Sequence, residues 1–147
     1  MKNIYFVTLL LIAVVTQAQI VDIPDPIFKE ILINHNCVDT DGDDIGDSDA
    51  DTNNDGEIQL SEAEAVVWLD VSHPIEYGIP EHIESIEGLE SFVNLIKLDC
   101  EINNIDYLDV TQFTSLEYLN CKENFLTELD VSQNSNLSFL WCTGNEI

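Results

Sequence analysis

Along the chain the spacing of apolar residues changes twice. They run almost unbroken from Phe6 to Val15, and they fall at helical spacing over Phe28, Ile31 and Leu32. From Val66 onward they alternate with polar residues in short bursts. The burst Leu95-Ile96-Lys97-Leu98-Asp99-Cys100 returns as Leu116-Glu117-Tyr118-Leu119-Asn120-Cys121 and as Leu137-Ser138-Phe139-Leu140-Trp141-Cys142, a step of 21 residues each time. Asn103, Asn124 and Asn145 keep that register, as do Ile105, Leu126 and Ile147. A degenerate earlier unit starts at Val66-Val67-Trp68-Leu69-Asp70-Val71, carries an insertion around residues 77–81 and regains phase through Ile83, Ile86, Leu89 and Phe92. Alternation within a burst predicts a short strand with one face turned inward. A fixed period of this length predicts a solenoid whose neighbouring coils supply the missing half of each other's core.

The pattern L-x-x-L-x-[L/C]-x-x-N-x-[L/I] over residues 66–147 resembles the leucine-rich repeat at the short end of its period range. The resemblance implies an α/β solenoid with a parallel sheet lining a concave face. An Asn column at the turns fits, since an amide both donates and accepts hydrogen bonds. Cys100, Cys121 and Cys142 fall on an inward strand position, where we expect a packed column of thiols rather than disulfides; Cys37 stands alone upstream. The outward strand positions are Lys97, Asp99 and Glu101, then Tyr118, Asn120 and Lys122, then Phe139, Trp141 and Thr143, preceded by Trp68, Asp70 and Ser72. Tyr118, Phe139 and Trp141 thereby cluster on the solvent side, with Lys97, Asn120 and Lys122 beside them. Such a cluster is a candidate contact surface for a protein or glycan; the alternative is cross-strand stacking that merely steadies the sheet.

Between Cys37 and Ser61 the apolar pattern stops and aspartate takes over. Asp51-Thr52-Asn53-Asn54-Asp55-Gly56-Glu57-Ile58-Gln59-Leu60-Ser61-Glu62 satisfies D-x-[DN]-x-[DN]-G-x5-E at every defined place. A hard Ca²⁺ ion takes oxygens at this spacing: Asp51, Asn53 and Asp55, the Glu57 carbonyl, Gln59 directly or through water, and Glu62 as the closing carboxylate. The segment resembles an EF-hand loop, although residues 36–50 separate it from the preceding helix. That helix opens at Pro26 behind Asp25 and ends at Asn34, and Ser61-Glu62-Ala63-Glu64 reads as a capping box for a short helix after the loop. The segment from Asp39 to Asp47 is similar to thrombospondin type 3 calcium repeats, which offers Asp39, Asp41, Asp43 and Asp47 to a second ion. Asp44 stands where Gly is usual, and Ala50 where a closing acid would sit.

Ile23-Pro24-Asp25-Pro26 with its helix, the loop and the repeats together resemble bacterial internalin-like surface proteins. That resemblance implies a short helical, EF-hand-like N-terminal cap over residues 19–65, shielding the first coil of repeats at 66–147. The last repeat breaks off at Ile147, so a longer natural product is expected.

The composition agrees with export. Residues 1–18 pair Lys2 with an apolar run and end in Thr16-Gln17-Ala18, which reads as a signal peptide cleaved near Ala18. The run is shorter than the roughly 20 residues of a bilayer span. The whole chain has 147 residues, 29 acids against 4 lysines and a net charge of −25, so a basic nucleic-acid or anionic-membrane surface is excluded. It is 45% hydrophobic, too apolar for a disordered acidic chain. His35, His73 and His82 share no metal-ligand spacing, no nucleophile or phosphate-loop motif occurs, and no enzyme is expected. The expectation is therefore a secreted or cell-surface, calcium-stabilised binding module. The alternative is a non-catalytic spacer of a larger secreted protein or enzyme.

Overall fold

The computed structural model describes residues 19–147 except Asp41 and Asp44, and it omits the side chain of Glu76. The expected signal segment, residues 1–18, lies outside the described residues. Four short strands, β1 (Trp68–Asp70), β2 (Lys97–Asp99), β3 (Tyr118–Asn120) and β4 (Phe139–Trp141), form one parallel sheet in sequence order. Their central residues pair as Leu69, Leu98, Leu119 and Leu140. The first three leucines are fully buried, because each coil covers the one before it; Leu140 is 39% exposed. Behind the sheet, Phe92, Phe113, Leu95, Leu116, Ile83 and Ile105 belong to one hydrophobic core and are all essentially inaccessible. Cys100 and Cys121 are buried, Cys142 is half-buried, and all four cysteines, Cys37 included, are free thiols.

After β2, β3 and β4 the chain turns through a left-handed residue, at Ile102, Glu123 and Gly144, and then reaches an asparagine. These amides tie coil to coil. Asn124 accepts from the Ile105 N–H at 3.0 Å and donates to the carbonyls of Cys100 (2.9 Å), Cys121 (3.2 Å) and Lys122 (3.3 Å). Asn103 and Asn145 make the corresponding bonds one coil earlier and one coil later.

The N-terminal segment closes the sheet's first edge. Helix α1 (Pro26–Asn34) starts where the Asp25 carboxylate accepts from the N–H groups of Ile27 and Phe28, and it buries Phe28, Ile31 and Leu32. The chain then returns as Cys37-Val38, which bridges antiparallel to Leu69 while the Asp70 N–H donates to the Cys37 carbonyl at 2.8 Å. An open row of strand donors and acceptors is thereby covered. The other oxygen of Asp25 accepts from the N–H groups of Glu84 and Ser85, both at 2.9 Å, so one buried carboxylate joins α1 to the first coil. Gly88 permits this junction. A Cβ there would stand 2.7 Å from the Asp22 carbonyl oxygen, and its φ of +100° suits glycine.

The helix after the acidic loop, α2, spans Leu60–Ala63 rather than starting behind Ser61. The residue that caps its N-terminus is Gln59, whose N–H donates to Glu62 at 2.9 Å. The expected pairing of Ser61 with Glu64 is displaced by two residues because Glu62, buried inside the loop, is the carboxylate that reaches back.

Candidate functional site

Two regions gather polar chemistry. The first is the loop over Asp51–Glu62. Asp51, 2% exposed, receives the N–H groups of Asp55 (3.1 Å) and Gly56 (2.7 Å), and Gly56 makes the sharp turn at a φ of +83°. Fully buried Ile58 anchors the loop to the core, and its carbonyl accepts from the Val21 N–H at 2.8 Å. Glu62 accepts from the Thr52 hydroxyl (2.7 Å), the Asn53 N–H (3.2 Å) and the Gln59 N–H. The Gln59 amide lies among the remaining positions. It donates to both Asp55 oxygens at 3.1 and 3.2 Å and to the Glu57 carbonyl at 3.2 Å, and it accepts from Asn53. The six expected ligand positions Asp51, Asn53, Asp55, Glu57, Gln59 and Glu62 therefore share one hydrogen-bond network. Lys29 of α1 pairs with the Glu57 carboxylate at 2.6 Å, outside that network's carbonyl contact. Burial raises the Asp49 carboxyl, and the charges of Asp51 and Glu62 raise it further. Among the described residues, no group of three or more His, Cys, Asp or Glu side chains stands in metal-holding geometry.

In the neighbouring Asp-rich segment, Asp39, Asp43 and Asp47 each support a local turn. Asp39 accepts from the Gly42 N–H (2.6 Å), Asp43 from the Ile45 N–H (3.0 Å) and Asp47 from the Thr40 N–H and hydroxyl (3.1 and 2.9 Å). Asp41, the fourth expected ligand, lies outside the described residues.

The second region is the outward face of the sheet. Parallel pairing aligns Trp68, Lys97, Tyr118 and Phe139 in one row, and Asp70, Asp99, Asn120 and Trp141 in the next. The Tyr118 and Phe139 rings stack with centroids 4.5 Å apart and planes 3° from parallel, and Trp141 lies 5.0 Å from Phe139 at a 54° tilt. Trp141 is half exposed. At the other end of the row, Trp68 and Lys97 line a cavity of about 370 Å³ with Thr40, Val67 and Ile96. Lys122 reaches Glu101 at 3.9 Å, and His73 reaches the other Glu101 oxygen at 3.3 Å. Asn120 lies on this face but is only 2% exposed; its amide is turned onto Asp99 rather than toward solvent. The twelve outward strand positions hold three acids and two lysines, a net charge of −1 on a chain of −25.

Two residues, one beside the first coil and one on the sheet face, escape a reading by motif. Asp25 reads as a helix cap, and nothing local announces its bonds to Glu84 and Ser85. Asp99 reads as one more surface acid. Its shared column with Asn120, 21 residues on, was the available signal.

No family model matches the chain, and no curated protein matches it. Among solved structures, the functional domain of InlJ from Listeria monocytogenes, described as including a cysteine ladder, superposes with a TM-score of 0.51 at 28% identity over 88% of this chain. An internalin, inlF, from Listeria monocytogenes superposes with a TM-score of 0.55 at 19% identity over 90% of this chain. The chain spans 29% and 34% of those two structures, respectively. No helix among the described residues is long and apolar enough to cross a membrane. With four parallel strands stacked coil on coil and these neighbours, the chain has an internalin-like leucine-rich-repeat fold.

Proposed function

We propose that this chain is an exported, non-catalytic binding module of a bacterial surface, which captures a protein or glycan on the concave face of its repeats and is stabilised by Ca²⁺ in its N-terminal cap. The observation that carries the reading is the Tyr118–Phe139–Trp141 patch lying on a face of nearly balanced charge, in a molecule that is otherwise strongly anionic. Aromatic residues with little charge around them characterise the centres of protein contacts, while a charged surround serves to steer and to reject. Replacing Tyr118, Phe139 and Trp141 together by alanine is expected to weaken capture of the surface partner at least ~30-fold, the equivalent of losing one strong anchor of ~2 kcal/mol. Capture by the folded triple variant at the original strength would overturn the concave-face reading. It would favour the spacer reading, for which the flat Tyr118–Phe139 stack is a cross-strand brace and no more.

Calcium is supported by the donor set. Asp55 and the Glu57 carbonyl already converge on the amide nitrogen of Gln59, and Asp51 and Glu62 hold buried carboxylates nearby. When bound there, the ion would be held by Asp51, Asn53, Asp55, Glu57, Gln59 and Glu62. Its positive charge would offset carboxylates that are costly to bury alone. For an extracellular-type affinity of ~0.1–1 mM, raising Ca²⁺ to ~10 mM stabilises the fold by ~1.4–2.7 kcal/mol. The expected result is a rise of several degrees in the melting temperature, reversed by chelation and strongly reduced in Glu62→Gln. A Glu62→Gln chain with the original calcium response would exclude this loop as the site. The segment Asp39–Asp47 is proposed as a second, weaker site, read out as a residual response in that variant.

A further inference from the structure

The second outward row holds a residue that is bonded directly to the aromatic patch. Asp99 Oδ2 accepts both from the Tyr118 hydroxyl at 3.2 Å and from Asn120 Nδ2 at 2.9 Å, while Oδ1 accepts from the Glu101 N–H at 3.1 Å. A tyrosine on an open sheet face has several side-chain rotamers available. Here the ring is fixed at its Cα by strand pairing and at its far end by the hydroxyl tether, and between those two points it lies flat on Phe139. Asn120, one strand on from Asp99, braces the carboxylate that holds the tether.

The turn bond at the strand end does not require a carboxylate, because Asn120 makes the same bond to the Lys122 N–H one coil later with an amide oxygen. Burial raises the Asp99 carboxyl, and the neighbouring charges of Asp70 and Glu101 raise it further, against the lowering by the Asn120 and Glu101 hydrogen bonds. An uncharged residue would satisfy the strand without that cost. A group that costs stability while orienting a partly exposed ring matches what a preorganised contact surface requires.

We infer that Asp99 is the positioning residue of the aromatic patch, holding Tyr118 by its hydroxyl so that the Tyr118–Phe139 stack is already formed before a partner arrives. The inference deepens the concave-face reading and rests on it for its functional meaning. Its test needs no partner. In the full chain, Tyr118 ionises at about 12, raised first by burial and then by the Asp99 charge and hydrogen bond. In Asp99→Asn the ultraviolet phenolate titration assigned to Tyr118, by difference from Tyr118→Phe, is expected to move down toward the ordinary tyrosine range. In Asp99→Ala the ring-current shifts on the Phe139 ring resonances should collapse toward those of Tyr118→Ala. A Tyr118 titration unchanged in Asp99→Asn overturns the inference, as do full ring-current shifts in a folded Asp99→Ala. If the alanine variant does not fold, the asparagine titration decides alone. Because neither measurement involves capture, a failed capture experiment and a failed positioning experiment are told apart.

Discussion

Replacing Asp25 by alanine is expected to cost ~3–5 kcal/mol of folding stability, several times the ~1 kcal/mol of an ordinary lost helix cap. The reason lies in what its two oxygens hold. Oδ1 accepts two N–H groups at the start of α1, from Ile27 at 2.8 Å and Phe28 at 2.9 Å, which no helix carbonyl can reach. Oδ2 accepts the N–H groups of Glu84 and Ser85, which lie 59 and 60 residues along the chain. Asp25 is only 8% exposed, so water cannot easily replace it, and all four donors lose a charged acceptor at once. Asp25→Ser retains one short acceptor for the helix start and should fall between wild type and alanine. Asp25→Asn turns an NH₂ group against two N–H donors and should recover little. Urea denaturation measures the series, and amide exchange at Glu84 and Ser85 locates the damage. A loss near 1 kcal/mol in the alanine variant would mean that the bond to the first coil contributes nothing and that Asp25 is a cap alone.

The second large effect is expected at the middle rung of the asparagine column. Asn124→Ala leaves the Ile105 N–H without its acceptor and removes the donor shared by the Cys100, Cys121 and Lys122 carbonyls. Asn124 is 4% exposed, and each buried group left unpaired costs ~1–3 kcal/mol, so a loss of ~3–5 kcal/mol is expected. Asn124→Asp keeps an acceptor for Ile105 but points a carboxylate at three carbonyl oxygens, and it should be no more stable than alanine at neutral pH. Asn145 makes bonds of the same kind, to the Leu126 N–H and the Cys121 and Cys142 carbonyls, but it is half-buried and water can reach what it leaves. Asn145→Ala is therefore expected to cost clearly less than Asn124→Ala. Equal losses, read by thermal denaturation, would show that burial does not set the strength of the column.

How these sites were, or were not, legible follows from the kind of neighbour each residue has. The core leucines were legible because a solenoid gives every coil the same environment. Leu98 and Leu119 meet the same neighbours 21 residues apart, and the repetition is written directly into the chain. The asparagine column was legible for the same reason, although the particular groups it joins were not. The aromatic patch was legible as a position, because alternation places Tyr118, Phe139 and Trp141 on one face. Its flat stack depends on the hydroxyl tether to Asp99, which alternation does not describe. In the loop, spacing named six residues, yet it placed the capping pair at Ser61 and Glu64. Burial of Glu62 moved that pair to Gln59 and Glu62.

By itself, the sequence determined that this is a stack of similar coils with leucines inward, an acidic loop at one end and aromatic residues on the open side of the sheet. Period and alternation depend only on neighbours a fixed number of residues away. The tertiary structure alone decided that Asp25 holds the helix to the first coil, that Cys37-Val38 covers the first strand, and that Asp99 rather than solvent receives Asn120 and Tyr118. Each of these is a buried polar group whose partner is chosen by how the cap and the coils pack. A hydrogen bond at 3 Å is set by that packing, and no local pattern of residue types encodes it.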